Sequence, residues 1–205
     1  MENNKKLIVV FVIFAVVMVG AYVLYSQLSP QFSQDSLAIV GTQPQETTGE
    51  TAPQDTAENA DTQKADQNLA PDFTVYDAEG NAVRLSDYFG KPIVLNFWAS
   101  WCGPCKMEMP DFDAKYRELG EDIQFLMINM TDGERETVEG ASGFIAQMGY
   151  TFPVFFDINY YATMAYHVYS LPTTFFIDQN GQVVAYANGA IDLQTLQRGI
   201  DMITQ

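Results

Sequence analysis

The chain has 205 residues, 47% of them hydrophobic and 13% aromatic, which is enough for one folded domain plus extensions. Asp and Glu outnumber Lys and Arg by 26 to 10, a formal charge of −16, and such a balance repels phosphate backbones and excludes nucleic-acid binding through a basic face. Two cysteines and one histidine, His167, exclude a disulfide-stapled scaffold, a four-thiolate metal site and a His-rich metal centre.

Residues 1–6 are a short N-terminus ending in Lys5 and Lys6. Residues 7–25, Leu7 to Tyr25, then run for nineteen residues without a charge. As a helix rising about 1.5 Å per residue, this run nearly crosses a hydrocarbon core of roughly 30 Å. The two lysines keep the N-terminus cytoplasmic and send the rest across. A cleaved signal peptide is the alternative, since Val19-Gly20-Ala21 offers small residues for a cut. The apolar run continues to Tyr25, however, beyond a usual h-region of roughly 7–15 residues, so a signal-anchor helix is preferred. No cysteine follows it that would carry a lipid.

Residues 26–68 are rich in Gln, Thr, Pro, Asp, Glu and Ala. From Ser29 onward they hold seven acidic residues and one lysine, with no aromatic after Phe32 and no apolar periodicity after Leu37-Ala38-Ile39-Val40. Such a segment buries too little surface to offset its ordering entropy. It reads as a disordered acidic linker.

Residues 69–205 carry the patterned hydrophobicity. Phe73–Tyr76 and Ala82–Leu85 flank the turn signal Asp77-Ala78-Glu79-Gly80-Asn81, a predicted hairpin. Ile93–Phe97 and Ile123–Asn129 are short apolar runs of buried-strand type. Between them Met107–Leu119 reads as helix, and Glu134–Met148 places Val138, Ala141, Ile145 and Met148 on one helical face. Val154–Phe156 is a short strand and Tyr160–His167 a helix. Thr173–Asp178 and Gln182–Asn188 form a hairpin around Asn180-Gly181, and Asp192 caps a last helix to Ile203. Strands alternating with helices indicate an α/β layered domain.

Both cysteines lie in Trp101-Cys102-Gly103-Pro104-Cys105, after a predicted strand and at the opening of a predicted helix. A two-residue gap lets the sulfurs meet across one helical turn, so dithiol and disulfide interconvert with little backbone movement. Helix N-terminal N–H groups favour a thiolate on the first cysteine, and Pro104 falls in the first turn, where a missing N–H does no harm. Cys102 is therefore the expected exposed nucleophile and Cys105 the resolving thiol. Half a zinc site would need a second ligand pair, and an inert disulfide closing so small a loop would constrain little.

Ala70-Pro71-Asp72-Phe73, the run from Gly90 through Cys105, Glu108-Met109-Pro110, and Leu171-Pro172-Thr173-Thr174-Phe175-Phe176-Ile177-Asp178 followed by Gly181 together resemble the TlpA/ResA-like thiol–disulfide oxidoreductases of the thioredoxin superfamily. The resemblance covers Leu69 to Gln205. It implies a thioredoxin-like fold with an N-terminal β-hairpin and a central βα insertion, Thr131 to Asp157; the charge-free run Leu7–Tyr25, which the resemblance does not cover, is expected to tether this domain as an N-terminal transmembrane helix. It also implies a cis Pro172 facing the cysteines with Leu171 beside the sulfurs. Read from the residues alone, Pro172 is equally an ordinary strand-entry proline. Trp101, Gly103, Pro104, Leu171 and Pro172 are the expected substrate-binding residues.

Glu108 lies one helical turn past Cys105. The resemblance suggests a partly buried carboxylate that tunes thiol pKa or relays a proton; the plain alternative is a solvent-facing helix residue. Thioredoxin carries a buried Asp where Asn96 stands, and a neutral Asn takes no proton, so Glu108 is the nearby base. Trp98 and the tyrosines 160, 161, 166 and 169 are read as packing, and His167 as a helix C-terminal residue.

The expected function is a membrane-anchored enzyme, a thiol–disulfide oxidoreductase reducing client disulfides outside the cytoplasm, with no cofactor beyond the Cys102–Cys105 couple. By resemblance its electron donor is a CcdA- or DsbD-like membrane carrier. The expected clients are apocytochrome c cysteines or other secreted or surface proteins, and a monomer is expected. An extracytoplasmic disulfide-forming oxidase and a non-catalytic client-binding module are the alternatives. A peroxidase is disfavoured, because Ala99 and Ser100 stand where peroxide-cleaving relatives keep a threonine.

Overall fold

The computed structural model describes residues 37–40 and 68–205, together with Met18. The predicted anchor, Leu7–Tyr25 apart from Met18, and most of the linker lie outside the described residues. Among the described residues no helix is long and apolar enough to cross a membrane.

The strands are β1 (Leu37–Ile39), β2 (Thr74–Tyr76), β3 (Ala82–Arg84), β4 (Ile93–Trp98), β5 (Gln124–Asn129), β6 (Val154–Phe156), β7 (Thr173–Ile177) and β8 (Val183–Asn188). The helices are α1 (Gly103–Leu119), α2 (Val138–Met148), α3 (Tyr161–Ala165) and α4 (Leu193–Ile203), with a 3-10 turn at Leu85–Tyr88. The strands form one sheet in the order β1-β8-β7-β4-β5-β6-β2-β3. β4 lies at its centre, parallel to β5 and antiparallel to β7. Every residue of β4 is buried, which is why it reads as a continuous apolar run rather than an alternating one.

The pleat sends successive side chains to opposite faces. Val94 and Trp98 join a core with Met109 and Phe112 of α1 and Leu196 and Ile200 of α4. Ile93, Leu95 and Phe97 join a second core on the other face with Phe73, Leu126, Ile128 and Tyr166. Each fully buried large apolar side chain contributes roughly 1.5–3 kcal/mol, and β4, buried on both faces, ties the two layers together. Asn96 falls on the Val94 and Trp98 face by the same alternation, and is thereby aimed at α1.

The predicted hairpin is present as β2 and β3, and β2 meets the rest of the sheet at the Tyr76–Phe156 pair on β6. The central insertion supplies α2 and β6, with β6 parallel to β5. Several element boundaries differ from expectation by one to four residues, most of all two helix starts. α1 begins at Gly103 rather than Met107, and α2 begins at Val138 rather than Glu134, because the Asp132 carboxylate accepts from the Glu134 and Glu136 backbones and Thr137 takes the cap. The linker reading is also corrected at one place. Leu37–Ile39 is not an unstructured tether but an edge strand antiparallel to β8, continued by a bond from Val40 N to Val184 O of 3.0 Å.

Candidate active site

The chain leaves β4 at Trp98 and turns through Ala99, Ser100 and Trp101 into Cys102, the N-cap of α1. Extended backbone at Cys102 (φ −78°, ψ 109°) places its Sγ where it accepts from Cys105 N at 3.2 Å, as an N-cap side chain accepts one of the unpaired first-turn N–H groups. Gly103 and Pro104 open the helix, and Pro104 leaves no donor unsatisfied there. Cys102 and Cys105 are joined, with Sγ–Sγ 2.04 Å and Cα–Cα 5.3 Å.

Neither cysteine is freely exposed. Cys102 retains 4% of its surface and Cys105 none, since both belong to the core cluster of Val94, Trp98 and Met109. This corrects the expectation of an exposed Cys102: the exposed positions are its neighbours Trp101, Gly103 and Pro104. Trp101 is 42% exposed and carries the Arg135 guanidinium 3.8 Å above its ring centroid. Trp98 is fully buried against Phe144.

Leu171–Pro172 is a cis peptide. The register pairs Thr173 with Phe97, so Pro172 stands at the end of the sheet from which the cysteine turn departs. Pro172 is buried, and its carbonyl accepts from Gly189 N at 2.8 Å. Leu171 is half-buried and packs on the core cluster that holds both cysteines.

Glu108 is 2% exposed, not on the solvated face of its helix. Asn96 Nδ2 donates to its Oε1 at 2.9 Å and Ile191 N donates to its Oε2 at 3.0 Å. Asn96 Nδ2 also donates to Thr174 Oγ1 at 3.0 Å, so one amide joins the helix carboxylate to the strand after Pro172. Burial raises the Glu108 pKa from 4.5 to about 7, against the lowering effect of those two donors. The group is therefore poised to hold or release a proton near neutrality.

His167 stays outside this constellation. It takes a left-handed conformation (φ 50°) just after α3 and stacks on Tyr169. Among the described residues no group of His, Cys, Asp and Glu side chains is placed to hold a metal ion.

Sequence reasoning missed Glu136. It is 1% exposed, and its carboxylate accepts from Ser100 N and Ser100 Oγ, both at 2.7 Å, and from Asn129 Nδ2 at 2.6 Å. Nothing in Glu134-Arg135-Glu136 marks the third residue as buried; the only local signal was the Asp132-Gly133 turn that folds the loop back.

Residues 67–186 match the AhpC/TSA family. A thiol–disulfide oxidoreductase ResA from Geobacillus kaustophilus is 37% identical over 139 residues, 66% of this chain and 76% of that protein. ResA from Oceanobacillus iheyensis is 38% identical over 137 residues, 63% of this chain and 68% of that protein. Among solved structures, a putative thiol:disulfide interchange protein DsbE from Chlorobium tepidum superposes with a TM-score of 0.61 at 32% identity, covering 67% of this chain and 96% of that one. StoA from Bacillus subtilis gives 0.56 at 25% identity, covering 65% and 98%.

Proposed function

The chain belongs to the AhpC/TSA family and is a thiol–disulfide oxidoreductase of thioredoxin-like fold, and from that premise we propose that it is a membrane-anchored reductant of client disulfides outside the cytoplasm. The observation that carries the chemistry is the Cys102–Cys105 pair at the N-terminus of α1, with a buried carboxyl one turn behind it. The charge-free run Leu7–Tyr25 supports the anchor.

In the reduced protein Cys102 attacks one sulfur of a client disulfide, forming a mixed disulfide and releasing a client thiolate that takes up a proton. The Cys105 thiol passes its proton toward the Glu108 carboxylate and attacks Cys102 Sγ. The second client thiolate leaves and is protonated. The client has gained two electrons and two protons, and Cys102–Cys105 has become a disulfide. A CcdA- or DsbD-like membrane carrier restores the dithiol. Trp101, Gly103, Pro104, Leu171 and Pro172 form the surface that meets the client backbone, and apocytochrome c or other secreted proteins with cysteine pairs are the clients. The protein works as a monomer, with no cofactor.

The test is covalent trapping. The full chain carrying Cys105→Ser, expressed in its membrane, should accumulate disulfide-linked clients that reductant releases and that Cys102→Ser abolishes. Clients recovered equally from a form lacking both thiols would show a binding module instead.

A further inference from the structure

The loop between β5 and α2 touches the two residues that lead into Cys102. Glu136 holds Ser100 through its backbone N–H and its hydroxyl, and Arg135 lies on the ring of Trp101. The carboxylate is itself fixed from behind. Thr131 Oγ1 donates to Asn129 Oδ1 at 2.8 Å, which turns the Asn129 amide nitrogen toward Glu136. Asp132 Oδ1 accepts from Glu134 N and Glu136 N, both at 2.8 Å, and sets the course of the loop. Asn129 lies opposite Trp98 in the sheet, and Met130 N donates to Trp98 O at 2.9 Å. The network therefore begins and ends at the strand end that delivers the cysteines.

We propose that Glu136 is a positioning residue for the attacking thiol: through Ser100, and with Arg135 on Trp101, the insertion loop clamps the turn that holds Cys102 at the N-cap of α1. The proposal rests on the reading of Cys102 as the attacking thiol. A thiolate at that cap is stabilised only while its sulfur stays in line with the Cys105 N–H and the helix axis. Ala99, Ser100 and Trp101 have no strand partner to hold them there, and a buried acceptor taking three donors supplies that rigidity. The bonds, rather than the charge, carry the effect. A bare negative charge near Cys102 would disfavour the thiolate, whereas the clamp favours it.

The two contributions have opposite signs, so the full-length chain in mild detergent separates them. The readout is the pH dependence of Cys102 alkylation in the reduced protein, with circular dichroism as the control for folding. Glu136→Gln keeps the clamp, because Oε1 still takes both N–H donors and its amide donates to Ser100 Oγ. It should titrate at or slightly below the unaltered protein. Glu136→Ala releases Ser100, so the Cys102 midpoint should rise by about one pH unit and alkylation at neutral pH should slow by roughly tenfold, since only the thiolate reacts. Ser100→Ala, which removes one bond only, should shift the midpoint the same way by less, and it carries the test if Glu136→Ala does not fold. A folded Glu136→Ala or Ser100→Ala protein with the unaltered midpoint, or Gln and Ala moving downward together, would overturn the proposal. Failure of the underlying reading is distinct: Cys105 would then be alkylated first in the unaltered chain.

Discussion

The side-chain amide of Asn96 donates to the Glu108 carboxylate at 2.9 Å with both residues buried, and so ties the middle of β4 to the second turn of α1. The bond follows from the strand's alternation, which turns Asn96 to the helix side of the sheet. An amide there donates without competing for the proton, so within this pair the titration belongs to Glu108. Asn96 Oδ1 has no side-chain or backbone partner among the described residues.

The oxidised protein should lose stability as pH rises toward neutrality. Glu108 titrates at 4.5 in the unfolded chain and at about 7 in the fold, raised by burial. Between those values the folded state keeps a proton that the unfolded chain has released, so stability is greatest below the lower value and is lost as pH rises through the upper one. The loss from this group is about 3 kcal/mol. Asp113 works the other way: burial raises it, but donors from Thr151 and Arg117 outweigh burial and hold it low, so its contribution is lost as pH falls. Urea midpoints measured from about pH 4.5 to 7 should fall in the unaltered protein and follow a flatter curve in Glu108→Gln.

In the reduced protein the same substitution should lower the cysteine titration. A negative charge one turn beyond Cys105 disfavours a neighbouring thiolate, and Glu108→Gln removes it. The shape is kept, since a reoriented Asn96 can accept from the new amide while Ile191 N still finds an oxygen. The pH–rate profile of client reduction should lose its inflection near neutrality. Unchanged cysteine titration and an unchanged profile would return Glu108 to a purely structural part.

The centre of the fold and the redox pair were legible because each has a strong local signal. β4 is an unbroken apolar run, and the cysteines combine spacing, a helix start and a proline in the first turn. The carboxylate at 108 was legible as a position, although its depth was not: burial depends on Ile191, a distant residue whose contribution is a backbone N–H. β1 was missed because three strand residues in an acidic stretch make no pattern of their own; their partner, Ala185–Ala187, lies about 150 residues away. Glu136 was missed because adjacent Glu134 has the same chemistry, and only the Asp132 turn decides which of the two faces inward.

Alkylation should strike the thiols in order. Cys105 is fully enclosed, whereas Cys102 keeps 4% of its surface and sits at the helix cap. Both features favour Cys102, by access and by thiolate fraction. With limiting iodoacetamide at neutral pH, peptide mapping of the reduced full chain should find Cys102 modified first, with a preference of roughly tenfold or more. Cys105 modified first would reverse the two roles.

Gly199→Ala should destabilise the domain although it improves helix propensity. Gly199 is buried in α4 where the helix crosses Phe176 of β7, and a Cβ there would lie 2.2 Å from Cε1 and Cζ of that ring. Phe176 is itself fully buried, so the ring has no free space to enter, and α4 must lift from the sheet. Alanine gains up to about 1 kcal/mol of intrinsic helix stability over glycine, but overpacking a filled core costs about 1–3 kcal/mol and at times more. The expected net loss is about 2 kcal/mol, read as a lower urea midpoint with an unchanged m-value. Trimming the opposing ring tests the cause: Phe176→Leu combined with Gly199→Ala should cost less than the sum of the two single changes, because residues in direct contact couple. A Gly199→Ala protein as stable as the parent would mean that the ring yields without cost, and that the close approach of α4 to β7 is not what requires glycine there.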